Sequence, residues 1–429
     1  MGNSEALCRE IERSLPDRPF TVEFWDGGRV ASTKDDSPTL SFRSARALAQ
    51  VLRSPGELGL GRAYVLGDIE VDDLDAVISL LGRWSPGNLG VAARARLGFA
   101  ALRAAGLQRP PSPPAAELRP SRERHTKGRD SEAVRHHYDI SNEFFSLFLD
   151  DSMTYSCALF EQGVSTLEEA QFNKLEAICA KLELRPGMRV LDVGSGWGSF
   201  GIHAAREHGA EVLGITLSPP QAARANERAA EAGVSDLARF EVRDYRDLGS
   251  GQFGAVVSIG MVEHVGENQI DEYARHLGRV LTPRGKILNH GICRVPAEDG
   301  GVRFGGEFTN RYVFPDGEIL NLSRTLVAVE RAGLETLHVE GLITDYAETL
   351  RHWTQRLDEN LEEAERQIGS ERLRVWRLYL RAARNGFETG GTVVYQVLCS
   401  HPLTEPPTPA PSGRRHATAR RPSAITPVS

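Results

Sequence analysis

Cysteine is scarce and scattered in this chain: Cys8, Cys157, Cys179, Cys293 and Cys399 are its only five in 429 residues. Odd in number and without a CxxC pair, they suggest neither a disulfide framework nor a zinc site, and they read as free thiols of a reducing compartment. Long apolar stretches are missing too. No uncharged run reaches the roughly eighteen residues that span a bilayer. The opening MGNSEALCREIERS carries charge where a signal peptide needs an apolar core. The expectation is a cytoplasmic protein whose membrane contact, peripheral in kind, is made from the surface. Excess positive charge is absent as well: the formal net charge is -7, which argues against a general nucleic-acid binder. One absence is local. Residues 76–116 contain no Asp or Glu, but they hold Arg83, Arg94, Arg96, Arg103 and Arg109.

What is present suits a well-cored globular protein, with 40% hydrophobic and 25% charged residues. The length suggests two domains. Residues 20–31 (FTVEFWDGGRVA) alternate around a Gly-Gly turn and predict a β-hairpin, and SARALAQVLRS and DDLDAVISLLGRW have helical periodicity. Together they predict a small α+β domain over residues 1–85. Residues 86–130 follow as a basic helix, VAARARLGFAALRAAGL, and a Pro-rich linker. That region is either a solvated connection or a patch drawn to anionic lipid headgroups. Beyond residue 185, the short apolar runs MRVLDVG, AEVLGIT, ARFEVRD, GAVVSIG and GKILNHG alternate with helical stretches. That rhythm predicts a doubly wound parallel sheet. A largely helical region is expected over 318–386 before a last strand, TVVYQVL, which closes a second domain of residues 131–400. The Pro-, Ser- and Arg-rich tail, 401–429, is expected to be disordered.

Inside that second domain, VLDVGSGWGSF puts Gly194, Gly196 and Gly198 between a strand and a helix. Such a turn lets backbone approach a nucleotide-like ligand closely. Alone it fits NAD or FAD as well as other nucleotides. NAD is disfavoured because the second strand ends in Thr216 and Ser218, without the carboxylate that holds a ribose hydroxyl. Asp192 precedes the first glycine, where it either holds the loop or touches the ligand.

Six separated stretches carry a more specific signal: HHYDISNEFFSLFLDDSMTYSCALFE, VLDVGSGWGSFGIHAA, GITLSPPQ, DYRDL, VVSIGMVEHVGENQIDEYARHLGRVLTPRGKILNHGI and TDYAETLRHW. Over roughly residues 130–400 the chain resembles the cyclopropane fatty acid synthase family, which includes mycolic acid cyclopropane synthases and enzymes that make 10-methylene or 10-methyl branched fatty acids. SPGELGLGRAYVLGDIEVDDLDA resembles the extra, lipid-associated domain of the phospholipid-acting members. The resemblance implies an α/β fold: a Rossmann-like class I S-adenosylmethionine methyltransferase domain with a helical insertion, preceded by the small α+β domain. It also implies methyl or methylene transfer from S-adenosylmethionine to the cis double bond of unsaturated phospholipid acyl chains, giving a cyclopropane or a 10-methylene branch. A separate reductase would complete a methyl branch, and a homodimer is implied by likeness only.

By the same resemblance, Tyr155, Ser156 and the loop Asp192, Val193, Gly194, Ser195, Gly196, Trp197 and Gly198 contact the cofactor. Thr216, Leu217, Ser218 and Gln221 surround its amino acid and ribose, Tyr245 and Arg246 flank its adenine, and Tyr138 stands at the entrance. Core packing is the competing role for Tyr245. The family's base is a bound bicarbonate, and the matching positions are Cys157, Glu263, His290, Ile292 and Tyr346. No metal is implied. An alkene is a weak nucleophile, so such chemistry needs orientation in a dry pocket, shelter for a carbocation and a base. Ordinary structural roles compete here: a buried thiol for Cys157, a turn cap for Glu263, a core histidine for His290. The chain departs from the family at Ser195, where GCGWG reads GSGWG, and at Ala383, where many members carry a cysteine. The alternative functions are a methyltransferase for a small soluble oxygen or nitrogen acceptor and a catalytically silent lipid-binding homologue.

Overall fold

The computed structural model describes residues 4–84, 89–106, 112–118, 128–130, 140–296 and 306–402. His136, His137, Tyr138, most of the Pro-rich linker and the tail beyond residue 402 lie outside the described residues. The N-terminal unit runs α1 (Glu5–Ser14), β1 (Thr21–Phe24), β2 (Arg29–Val30), β3 (Thr39–Phe42), α2 (Ala45–Arg53), α3 (Glu57–Val65), β4 (Ile69–Val71), α4 (Leu74–Arg83) and α5 (Val91–Ala105). The expected hairpin is present as β1 and β2, inside a four-stranded sheet ordered β2-β1-β3-β4. Helix α5, expected as part of the connecting region, packs into this unit instead. Its Ala100, Ala104 and Ala105 share a core with Val22, Phe24, Val30 and Leu48. Alanine on that face lets the helix come close, and the larger residues are left on the other side.

The larger unit holds α6 (Asn142–Ser146), α7 (Leu167–Leu182), β5 (Arg189–Val193), α8 (Ser199–His208), β6 (Glu211–Thr216), α9 (Pro219–Glu231), β7 (Ala238–Val242), β8 (Phe253–Ile259), α10 (Ile270–Val280) and β9 (Leu281–Arg294). It continues with α11 (Glu307–Tyr312), α12 (Leu322–Arg331), β10 (Glu335–Leu342), α13 (Asp345–Glu359), α14 (Leu361–Ile368), α15 (Ser370–Glu388) and β11 (Thr392–Ser400). Seven strands form one sheet, ordered β10-β11-β9-β8-β5-β6-β7. Pairing is parallel from β7 through β9, and β11 runs antiparallel between β9 and β10. Strand β10 was not expected: it interrupts the region predicted to be helical. Strands β5 and β8 are neighbours although the chain visits β6 and β7 between them, so the strand order reverses at β5. The crevice beyond the strand ends at such a reversal is where open α/β sheets bind ligands. This sheet is the class I methyltransferase fold expected from the sequence. No described helix is long and apolar enough to cross a membrane.

The two units meet through buried charge. Glu117, enclosed, accepts from Arg62 of α3 at 2.6 Å, from Arg311 of α11 at 3.0 Å and from the Tyr312 hydroxyl at 2.8 Å. Each carboxylate oxygen is satisfied, as a buried charge requires.

Candidate active site

A first cavity opens beyond the ends of β5 and β6. The glycine turn that floors it needs positive φ at Gly194 (81°), Gly196 (53°) and Gly198 (82°), which side chains oppose. The amides of Gly194 and Ser195 donate to the carbonyl of Ile215 at 2.9 and 3.0 Å, fastening the turn to β6. Tyr155, Ser156, Asp192, Val193, Gly194, Ser195, Gly196, Trp197, Thr216, Leu217, Gln221, Tyr245 and Arg246 all line this cavity. Two expected contacts do not. Ser218 is buried and caps α9, accepting from the Gln221 amide at 3.4 Å. Gly198 backs onto the core, where an added Cβ would stand 2.8 Å from Phe240 and 3.0 Å from Ala225. On the far wall, the Arg246 guanidinium lies 5.5 Å from the Tyr245 ring centre and is paired with Asp244 and Asp130. Tyr245 is buried edge-on against Tyr273, so it serves packing and cavity wall together.

A second cavity, about 310 Å³ in volume, adjoins the first. That is the size range of small-molecule sites. Tyr155, Ser156, Gly260 and His264 border both. Cys157, Glu263, His290, Ile292 and Tyr346 all line the second, together with Phe314, Tyr379, Phe387 and Ala383. Glu263 Oε1 accepts from the Ile292 amide at 2.7 Å, and Oε2 has no hydrogen-bond partner among the described residues. Burial pushes this carboxyl up to about 7, against the pull of the amide. His290 pairs opposite Ile259 and is buried; Gln396 donates to its Nδ1 at 3.2 Å, which leaves the proton on Nε2. That Nε2 is buried without a hydrogen-bond partner among the described residues. Burial, helped by Lys174 and Lys181, holds His290 neutral, well below its usual range. Cys157 is fully buried, and burial raises its thiol far above the thiolate range. It is therefore a neutral wall group. The strand ends thus present, among the described residues, two unpartnered polar atoms in a chamber rich in aromatic side chains that also includes Arg294, Asn310 and Glu318. Buried polar atoms are rarely left so without a ligand to meet them.

Among known families, the description "Mycolic acid cyclopropane synthetase" matches residues 125–397. The chain belongs to the mycolic acid cyclopropane synthetase family. A probable fatty acid methyltransferase of Mycobacterium tuberculosis is 38% identical, over 92% of this chain and 94% of its own. The cyclopropane-fatty-acyl-phospholipid synthase of Escherichia coli K12 is 34% identical, over 80% of this chain and 83% of its own. A solved mycolic acid cyclopropane synthase, complexed with SAH and CTAB, superposes with a TM-score of 0.59 at 30% identity, covering 63% of this chain and 97% of its own. Like the other members of the cyclopropane synthetase family found here, this chain is a methyltransferase of the S-adenosylmethionine-dependent type.

In this methyltransferase the structure adds a site residue that motifs did not reveal. Lys174 lines the first cavity, is only 1% exposed, and donates to Ser156 Oγ at 3.1 Å. Burial lowers its ammonium to about 8, and Asp150, Cys157 and Asp192 resist that fall. Asp192 is raised by burial to about 7, and Lys174 pulls it down. A signal was present in the sequence: Lys174 shares the buried face of α7 with Leu167, Ala170, Gln171, Leu175 and Ile178. A lysine on a core face is rare enough to mark. The strip carrying Tyr155 to Cys157 is fixed from both sides. Gln171 donates to the Ser156 carbonyl at 2.9 Å, and the Ala158 amide donates to Thr349 of α13 at 3.0 Å.

Proposed function

We propose that this enzyme transfers the methyl carbon of S-adenosylmethionine to the cis double bond of unsaturated phospholipid acyl chains, forming a cyclopropane or a methylene branch. One observation carries the reading: a glycine-floored cavity and a second cavity rich in aromatic side chains share a border at Tyr155, Ser156, Gly260 and His264. A small soluble acceptor would have no use for the second chamber's apolar walls. The cofactor, held by the glycine turn, Thr216 and Gln221, would supply an electrophilic methyl group. The chain's own residues then orient the alkene, exclude water and shelter positive charge developing on the acyl chain. Tyr155, Phe314, Tyr346, Tyr379 and Phe387 can offer ring faces to that charge.

The released proton requires an acceptor, and the second chamber suits a small bound anion such as bicarbonate, which would act as base. His290 offers its Nε2–H, and Glu263, whose carboxyl burial pushes up to about 7, can offer Oε2–H when protonated. A protonated carboxyl removes the charge repulsion that an ionised one would impose on the anion.

Access to bilayer substrate falls to α5. Val91, Ala95, Phe99 and Leu102 recur every three or four residues and form an exposed ridge. Phe99 is 63% and Leu102 58% exposed, and Arg94 and Arg103 flank the ridge. That is the pattern of a helix lying in a membrane interface.

The deciding test incubates the full chain with oleoyl phospholipid vesicles and isotopically labelled cofactor, followed by mass spectrometry of the released fatty acids. A one-carbon gain in the acyl chain is expected. Hydrogenation then separates a ring from a methylene branch, and a branch would imply a separate reductase downstream. Activity in carbonate-free buffer should fall and return on adding bicarbonate. No label in lipid, with label in a soluble acceptor, would overturn the reading.

A further inference from the structure

We propose that Cys179, His203 and His208, together with the Glu176 carboxylate, form a zinc site that fastens α7 to α8. Cys179 and Glu176 lie one turn apart on α7, and on α8 His203 sits at the middle and His208 at the last residue. One donor atom from each of Cys179, His203 and His208 lies within 4.8 Å of the other two. The Nε2 atoms of both histidines already converge on a single oxygen, Glu176 Oε2, each at 3.1 Å.

The donor set selects the ion. A thiolate and two imidazoles favour zinc over magnesium or calcium, which prefer oxygen. With bonds of roughly 2.0–2.3 Å, donors of a tetrahedral zinc stand roughly 3.3–3.8 Å apart. The present spread is only slightly wider. The adjustment falls on Glu176 and His208, whose side chains are 43% and 21% exposed, while Cys179 and His203 are buried and fixed. The same exposed pair provides the entry path. Binding displaces the Cys179 thiol proton to solvent as the sulfur–metal bond forms. The divalent ion is then balanced by one thiolate and one carboxylate, so no net charge is buried. Each histidine would bind the ion through one ring nitrogen of its neutral imidazole.

Position gives the site a consequence. Helix α8 starts at the glycine turn, with Ser199 on the first cavity, and α7 carries Lys174 into the same cavity. A metal at the far end of this helix pair would stiffen the cofactor floor without touching the cofactor.

The test uses the untagged full chain, dialysed against zinc and then freed of excess metal. Elemental analysis should find about one zinc per chain. Cobalt in its place should show a thiolate-to-metal charge-transfer band, and chelation should lower Tm. Cys179→Ser should lose the band, and His208→Gln, at a partly exposed position, should weaken binding with its circular dichroism intact. Absence of zinc above the buffer level overturns the proposal, and so does undiminished stoichiometry in both variants. Should Cys179→Ser fail to fold, an unchanged cobalt spectrum in His208→Gln overturns it alone.

Discussion

At the scale of single residues, two carboxyls share one physical condition. Glu263 and Asp192 are enclosed without a charge partner in direct contact, and burial lifts each to about 7. Between pH 4 and 7 the folded chain therefore keeps protons that the unfolded chain releases, so the stability of the cofactor-free protein falls as pH rises through that window. Glu263→Gln removes one of these protons. Its Tm should decline less between pH 5 and 7.5 than that of the parent, measured by calorimetry. The same substitution leaves the first cavity intact but ends any proton exchange at Oε2. Cofactor affinity should be unchanged by titration, and turnover should fall by about 10²–10⁴. Near-parental turnover would remove Glu263 from the chemistry. Lys174 sets the companion prediction, because its charge is what draws Asp192 downward. An ionised Asp192 favours a cationic cofactor, so affinity should rise with pH through about 7. In Lys174→Met that rise should move to higher pH. An unmoved midpoint would show that Asp192 does not titrate beside the cofactor.

At the scale of elements, what was legible from the sequence depended on whether function sits in a local pattern. The glycine turn announces itself because three left-handed positions in five residues leave glycine little competition. The strands β5 to β9 were legible as buried apolar runs. Strand β10 was not: ETLHVEGL is an edge strand whose first four residues are exposed, so neither alternation nor apolarity marks it. The second cavity was beyond local pattern altogether. Residues 157, 263, 290, 292 and 346 share no spacing, and only the family resemblance assembled them. Ser218 and Gly198 show the converse limit, since motif membership implied ligand contact while the fold also uses them to cap α9 and to seat α8. Gly198 turns this into a prediction. At φ 82° an alanine costs about 1–3 kcal/mol in backbone strain, and its Cβ would meet Phe240 at 2.8 Å. Gly198→Ala should lower Tm and weaken cofactor binding, although residue 198 does not line the cavity. Full affinity in a destabilised protein would separate the turn's packing from its ligand role.

At the scale of the whole molecule, a formal charge of -7 repels an anionic bilayer, so the docking proposed above would have to rest on a local reversal of sign. The acid-free segment 76–116 would supply it, and α5 is the helix that lies wholly within it. Of its arginines, Arg96 is engaged with Glu10 at 2.8 Å, which leaves Arg94 and Arg103 beside the exposed ridge. Each cation near an anionic surface contributes about 1 kcal/mol. Replacing both with glutamine should therefore weaken binding to anionic vesicles by about 30-fold, since 1.4 kcal/mol is tenfold. The loss should shrink as salt rises, because the attraction is screened. Phe99→Ser acts on the other term. Burying such a ring is worth about 1.5–3 kcal/mol, and that loss should persist at high salt and on neutral vesicles. Turnover on detergent-dispersed substrate should be untouched in both variants, because α5 lines neither cavity. If Phe99→Ser instead changes the oligomeric state and leaves vesicle binding intact, the ridge is a contact between two copies of the chain, and the bilayer is met by some other face.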